Sequence, residues 1–343
     1  MSLMQRESDV LTAIVEDYIA KAQPVGSRTV SKLGVVHLSP ASVRNTMADL
    51  TDKGYLEQPH TSAGRIPTAK AFRFYLDEVM RLRPPSEPVK EMMAASLGQA
   101  GLEIDDILRQ ASRVLSGLSR QVCLVLAPRH GLARWRQIDF VLLRPGMVMA
   151  ILVLQGGLVQ KRVVAVDKAI AADDLVHFGN YLNHHFQDMA VSEVRLRILA
   201  ELGRAQRELS ELTGRALRLA MDTFQTAEAP EVFVEGTLNM LSQPEFSDIS
   251  AMRDLLKALE DRTRLLEVLD KTMDEYRTVV TLGRETAAQD LTGCGVIATP
   301  YGGPESPLGA VSVIGPLRMD YAEVVPLVNY TAQLITMMLG KHF

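Results

Sequence analysis

The sequence predicts an α+β protein in which an N-terminal winged helix-turn-helix precedes a body built on an antiparallel sheet that a mainly helical block interrupts. Three observations carry this reading. The first eighty residues order three helical stretches, a short hairpin and a fourth helical stretch, each closed by turn residues. The run Arg83-Pro84-Pro85-Ser86-Glu87-Pro88 then places three prolines within five residues, where no helix can continue. Beyond it, apolar strand-like runs flanked by glycine and proline lie on both sides of a helical block.

The first helix is signalled from Glu7 by one stripe of Val10, Leu11, Ile14, Val15, Tyr18 and Ile19. Pro24 and Gly26 end it, and Ser27 suits the N-cap of a short second helix reaching Leu33. Gly34 permits a turn. Ser39-Pro40 pairs a capping residue with proline at the first helical position, and Gly54 stops the third helix after Lys53. Tyr55-Leu56 and Arg65-Ile66 read as two short strands around a loop at 59–64, and Thr68 opens a fourth helix to about Arg81. The DNA-binding unit is therefore placed at 1–83 and a linker at 84–99.

Residues 100–118 form an amphipathic helical pattern. Strands are expected at 122–127, 138–143, 148–154 and 158–166, with turns at Arg144-Pro145-Gly146 and Gln155-Gly156-Gly157. The pattern is helical from Asp173 to about Thr226, strand-like at 232–234 and helical at 248–274. It returns to strands at 278–282, 295–298 and 310–314 before a last helix from about Tyr321. This assigns 100–170 and 275–343 to one sheet-based domain and 171–274 to a domain inserted into it.

Charge is distributed unevenly. The whole chain of 343 residues has a formal net charge of −4. Within 21–73, eight basic side chains (Lys21, Arg28, Lys32, Arg44, Lys53, Arg65, Lys70 and Arg73) face three acidic ones (Asp49, Asp52 and Glu57), a surplus of five. The remaining 290 residues therefore carry a deficit of nine. A small basic module on an acidic body suits a nucleic-acid-binding unit with its own regulatory part. Cys123 and Cys294 sit singly in apolar runs, as reduced core thiols do, and no Cys/His spacing suggests a metal. The polar N-terminus does not resemble a secretory signal, and the most apolar run is far shorter than the ~20 residues that cross a membrane. A soluble, cytoplasmic chain is expected.

On a helical wheel the third helix buries Val43, Met47 and Leu50, leaving Ser42, Arg44 and Asn45 exposed beside small alanines. Arginine bonds guanine edges in bidentate fashion and asparagine does so with adenine, while small neighbours let a helix enter the major groove. An ordinary solvated face would look similar; the surrounding helix and hairpin order favours base reading. The loop residues His60, Thr61 and Ser62 with Arg65 suit a wing over phosphates or minor groove, or else a plain turn. Ser27 and Arg28 of the second helix and Ser39 at the third helix's cap complete the expected DNA-contacting set. His177, His184 and His185 read as polar positions on a surface helix, and Tyr301-Gly302-Gly303-Pro304 lacks the lysine of a phosphate loop. Nothing resembles a nucleophile, its base or a carboxylate pair, so neither catalysis nor a cofactor is expected.

Four segments carry a resemblance to a known family. They are Ile14-Val15-Glu16-Asp17-Tyr18-Ile19, Pro24-Val25-Gly26-Ser27-Arg28-Thr29, Val43-Arg44-Asn45-Thr46-Met47-Ala48-Asp49-Leu50, and the long run from Gly54 through Gly64-Arg65-Ile66-Pro67. With Val313-Ile314-Gly315-Pro316-Leu317-Arg318-Met319-Asp320-Tyr321 near the other end, they resemble the heat-inducible transcription repressor HrcA family. The resemblance implies a homodimeric repressor of heat-shock chaperone operons on a double-stranded inverted-repeat operator. It also implies a GAF-like domain, an inserted dimerisation domain, and dependence on a GroEL-type chaperonin. A ligand-sensing winged-helix regulator with a small-molecule pocket in the GAF-like domain is the alternative, against which the nearly all-apolar strands argue. An enzyme with a DNA-binding appendage would need a catalytic constellation that the body does not display.

Overall fold

A computed structural model describes residues 3–34, 36–60, 63–101, 103–128, 134–154, 159–167, 170–191, 193–194, 196–198, 200, 216–217, 219–220, 231–246, 249–285, 291–303 and 306–342. Helix α1 (Gln5–Lys21) buries Val10, Leu11, Ile14 and Val15, the stripe that predicts it. Helix α2 (Ser27–Lys32) and helix α3 (Pro40–Asp52) pack against it through Val30, Val43, Met47 and Leu50. Ser39 caps α3 by accepting the Ser42 N–H at 3.2 Å, with Pro40 in the first turn. The far end closes as a Schellman motif. Gly54 adopts a left-handed φ of 76°, its N–H reaches Thr51 O at 2.9 Å, and the Tyr55 N–H reaches Leu50 O at 2.9 Å.

Strands β1 (Leu56–Glu57) and β2 (Ile66–Pro67) form the antiparallel hairpin. Val25, ahead of α2, adds a third edge through two backbone bonds with Arg65, of 2.8 and 2.9 Å. Helix α4 (Ala69–Phe74) continues as a π-helical turn, Tyr75–Val79, so the helical segment stops short of Arg81. The segment 84–99, read as linker, is mostly helix: α5 (Glu87–Gly98) buries Met93 and Leu97. Ser86 is the N-cap position and Pro88 lies in the first turn, although the Ser86 side chain, unlike that of Ser39, makes no cap bond. The prolines thus mark a helix beginning as well as a boundary.

The body holds two sheets where the sequence suggests one. Helix α6 (Ile104–Ser119) leads into β3 (Val122–Leu126). Next, β4 (Trp135–Arg144), β5 (Met147–Leu154) and β6 (Val159–Ala165) make a separate three-stranded antiparallel sheet, followed by α7 (Ala172–Phe186). The chain later supplies β7 (Val232–Glu235), α8 (Thr237–Leu241), α9 (Ile249–Glu260), α10 (Arg262–Glu275), β8 (Val279–Leu282), β9 (Cys294–Gly303), β10 (Ser306–Pro316) and α11 (Tyr321–His342). The five-stranded sheet runs β7-β3-β10-β9-β8, antiparallel throughout.

One face of that sheet, with Cys123, Val125, Ile297, Val311 and Val313, packs on α6 and α11. The other face, with Val122, Leu124, Leu126, Val296 and Ile314, packs on α9 and α10. Two apolar faces explain why its inner strands read as unbroken hydrophobic runs, and each fully buried Leu or Val contributes ~1.5–3 kcal/mol. Two placements therefore differ from the sequence reading of 171–274 as the inserted segment. The strand at 232–235 pairs with β3 in the main sheet, and α9 and α10 cover that sheet. The strands at 135–165, read as part of the main sheet, pair only among themselves among the described residues. Alternation shows that a segment is a strand but not which strand it joins.

The smaller sheet holds α7 on one face. Asn183 accepts the Ile138 N–H at 2.7 Å and the Trp135 Nε1–H at 3.1 Å through its Oδ1, and donates from Nδ2 to Ile138 O at 3.0 Å. Gly179 permits the close approach, because a Cβ there would lie 3.3 Å from Ile138 O. The opposite face is apolar yet open: Val141, Leu143, Val159 and Val163 are 42–51% exposed.

Candidate nucleic-acid interface

The interface is built on the N-terminal half of α3. Val43, Thr46, Met47 and Leu50 face inward, which turns Arg44 and Asn45 to solvent on the opposite side. Neither side chain has a partner among the described residues, so both are available to a groove. Ser42 is half-buried, and its hydroxyl accepts from Ser39 Oγ at 3.1 Å. The cap thus organises the first turn while its backbone stays exposed. Arg28 is exposed on α2, and Ser27 is half-buried at that helix's start.

Two placements refine the expected set. Arg65 is not free at a loop tip. Its backbone is held by Val25, its side chain is half-buried, and its Nε donates to Thr51 Oγ1 at 3.1 Å. The hairpin is thereby tied to the C-terminal end of α3. His60 is exposed, while Thr61 and Ser62 lie outside the described residues. Gly64 sits against the Val25 backbone, where a Cβ would meet Val25 O at 2.5 Å.

One residue escapes sequence reasoning. Arg6, in the first turn of α1, donates from Nε to Thr46 Oγ1 and from Nη2 to Ser42 O, both at 3.0 Å. It adds a cation to the rim of the α3 face. Its only sequence signal is a basic residue off the apolar stripe, a weak one.

The charge bookkeeping sharpens on folding. Of the eight basic side chains counted in 21–73, Lys21 pairs with Asp17, Lys53 with Glu7 at 2.7 Å, and Arg73 with Glu285 of the body. Arg28, Lys32, Arg44, Arg65 and Lys70 lie outside any ion pair among the described residues. Hydrogen bonds from Lys53 hold the buried Glu7 carboxyl below its ordinary range, against the opposing effect of burial. Arg73 also donates to Val280 O at 2.7 Å, Arg83 pairs with Asp320, and the Arg83 N–H reaches Ala322 O at 2.8 Å. These contacts fix α4 and the segment after it to the body and leave the α3 face outward. In the body, burial pushes the Cys123 and Cys294 thiols up to about 12, which keeps them protonated and unreactive. No group of His, Cys, Asp and Glu among the described residues could hold a metal ion, and no described helix is long and apolar enough to cross a membrane.

The fold and this surface define a basic helical module, with an open polar face, mounted on an antiparallel-sheet body. The model of the HrcA protein C-terminal domain matches residues 105–325. A heat-inducible transcription repressor HrcA of Nitratidesulfovibrio vulgaris strain Miyazaki F is 50% identical over 100% of this chain and 97% of its own length. Proteins of the same name from Syntrophobacter fumaroxidans and Geobacter sulfurreducens are each 40% identical, over 99% and 98% of this chain and 98% of their own lengths. A crystal structure described as a hypothetical protein at 2.2 Å resolution shares the fold across 100% of both chains, with a TM-score of 0.64 and 22% identity. The chain belongs to the HrcA family.

Proposed function

We propose that the protein is a heat-inducible repressor of heat-shock chaperone operons, and that residues 1–83 are a winged helix-turn-helix that binds double-stranded operator DNA. The observation that carries the proposal is the outward α3 face, where Arg44 and Asn45 stand exposed and unpartnered beside Arg6 and Ser42. Base-edge readout needs such groups, and Arg28, Lys32, Arg44, Arg65 and Lys70, outside any ion pair among the described residues, supply the phosphate contacts that position them. The names of the relatives supply the regulatory role.

The five-stranded sheet with its two helical layers is the GAF-like domain of this reading. Residues 134–230 are the inserted dimerisation domain, in place of 171–274. The open face of β4–β6 supports a homodimer. Register places Val141, Met149 and Val163 in one row across it, with Ile151 between Asp139 and Lys161 in the next. A stable interface buries at least ~1,000 Å² in total, about half from each partner, and an exposed apolar sheet face is the expected source. Leu196, in the same unit, is 69% exposed. Two-fold symmetry in the protein matches an inverted repeat in the operator. The family resemblance adds a GroEL-type chaperonin as the partner that keeps the repressor competent in the cytoplasm. Heat then releases DNA by opening the apolar body.

The test is a gel-shift titration with an inverted-repeat duplex. Arg44→Ala and Asn45→Ala should each cost ~1–3 kcal/mol per half-site and relax preference at one base position. Unchanged affinity and specificity in both variants would overturn the assignment of α3 as the reading helix.

A further inference from the structure

We propose that an open groove between α11 and the β8–β9 edge is a binding site for a small organic carboxylate with an apolar tail. The groove has a volume of about 620 Å³, within the range of small-molecule sites. It lies on the body and shares no residue with the α3 face.

Its chemistry is one-sided. Thr278 donates its hydroxyl hydrogen to Asn329 Oδ1 at 2.7 Å, and the single hydrogen of Thr299 is shared between Asn329 Oδ1 at 2.8 Å and Thr278 Oγ1 at 3.1 Å. The Nδ2 of Asn329, a double donor, is without a partner among the described residues. Arg277, also in the lining, gives Nε and Nη2 to Glu275 and keeps Nη1. Gln333 presents a second exposed amide. Among the described residues no acidic side chain lines the groove, whose apolar floor is Pro300, Ala332 and Met337. One cation and two amides over an apolar floor suit an anionic head and a hydrocarbon body.

The groove is also mechanically placed. Thr278 lines it, and two residues further along the chain the carbonyl of Val280 accepts the Arg73 bond that fixes α4 to the body. Tyr276 beside it holds a left-handed φ of 53°, unusual for a residue with a bulky side chain. A ligand that shifts Thr278 therefore acts through the short strand β8 on the docking of the N-terminal unit. That relay rests on the reading of the unit as DNA-binding; the site itself does not.

Isothermal titration of the full chain with benzoate and with hexanoate, each against its neutral amide, tests the site. At least one acid should bind and its amide should bind more weakly. Asn329→Asp keeps two oxygens for the threonine hydroxyls and exchanges the donor for a negative charge. Affinity for the acid should fall at least about tenfold with little change in Tm. If that variant fails to fold, Gln333→Glu places an anion on the exposed rim without touching the threonines and should weaken binding likewise. Failure of both acids to bind, equal binding of the amides, or full affinity in the folded variants would overturn the site. Hydrogen exchange at residues 279–282 and 69–74 should change with saturating acid; identical exchange would overturn the relay. Operator affinity measured without any acid tests the repressor reading separately.

Discussion

Replacing Gly64 by alanine probes how the wing is held. An added Cβ would lie 2.5 Å from Val25 O, 2.6 Å from Val25 C and 2.9 Å from Pro24 C, all backbone atoms that cannot rotate aside. Real Cβ contacts stay beyond 3.0 Å, so the hairpin must retreat by roughly 0.5 Å or more. The two Val25–Arg65 bonds beside it, 2.8 and 2.9 Å, would stretch to the edge of bonding. Two backbone bonds at ~0.5–1.5 kcal/mol each give a loss of ~1–3 kcal/mol, confined to the hairpin. Operator affinity, measured by fluorescence anisotropy, should fall about 5- to 150-fold if a displaced wing cannot hold its phosphate contacts. Thermal unfolding of the body should be unaffected. Gly98→Ala is the control, because open space surrounds a Cβ there. If Gly64→Ala binds operator with the wild-type affinity and salt slope, the wing does not contribute to binding as argued.

Three further outcomes are expected. Ile151→Glu, in the middle of the open face of β4–β6, should shift the full chain from dimer to monomer in analytical ultracentrifugation and weaken binding to the inverted repeat more than to a single half-site. Glu7 has its folded pKa lowered by Lys53, so its contribution is complete above the ordinary carboxylate value and vanishes as pH falls through the lowered one. Glu7→Gln should therefore lower Tm at pH 7, and the gap to the wild type should narrow as pH falls below the ordinary carboxylate range; a constant gap down the acid limb would contradict the ion pair. Cys123 and Cys294, buried with thiols raised to about 12, should resist iodoacetamide at pH 8 in the cold and label in step with loss of operator binding on heating. DNA release without labelling would separate heat sensing from opening of the body.

Local signals were readable wherever one or two residues decide a geometry. Ser39-Pro40 and Gly54 bracket α3 because capping and a left-handed turn are properties of single residues, and the α1 stripe is a property of one helix. Ser86-Glu87-Pro88 reads as linker, because prolines in series mask a helix start that has a proline in its first turn but no side-chain cap. Sheet membership was not readable. Residues 135–144 and 232–235 both alternate as strands, yet one group closes on its sequence neighbours and the other reaches back across more than a hundred residues to β3. The Val25–Arg65 bridge is one pair long and has no period to detect, so Arg65 looked like a free wing residue. Arg44 and Asn45 were legible because a wheel fixes the outward side once Val43, Met47 and Leu50 are taken as core.

The position of β3 has a consequence for how the protein is made. Residues 122–126 pair on one side with 232–235 and on the other with 311–314, so Val122 waits for Ile314, roughly 190 residues later. At ribosomal speeds of ~5–20 residues per second, β3 emerges ~10–40 s before its second partner. Until residues 232–235 emerge, a wholly apolar strand, Val122-Cys123-Leu124-Val125-Leu126, has two bare edges, and for the rest of that interval it has one. An apolar strand with an uncovered edge is open to pairing with the wrong chain, so the spacing of its partners along the sequence bears on the yield of folded protein.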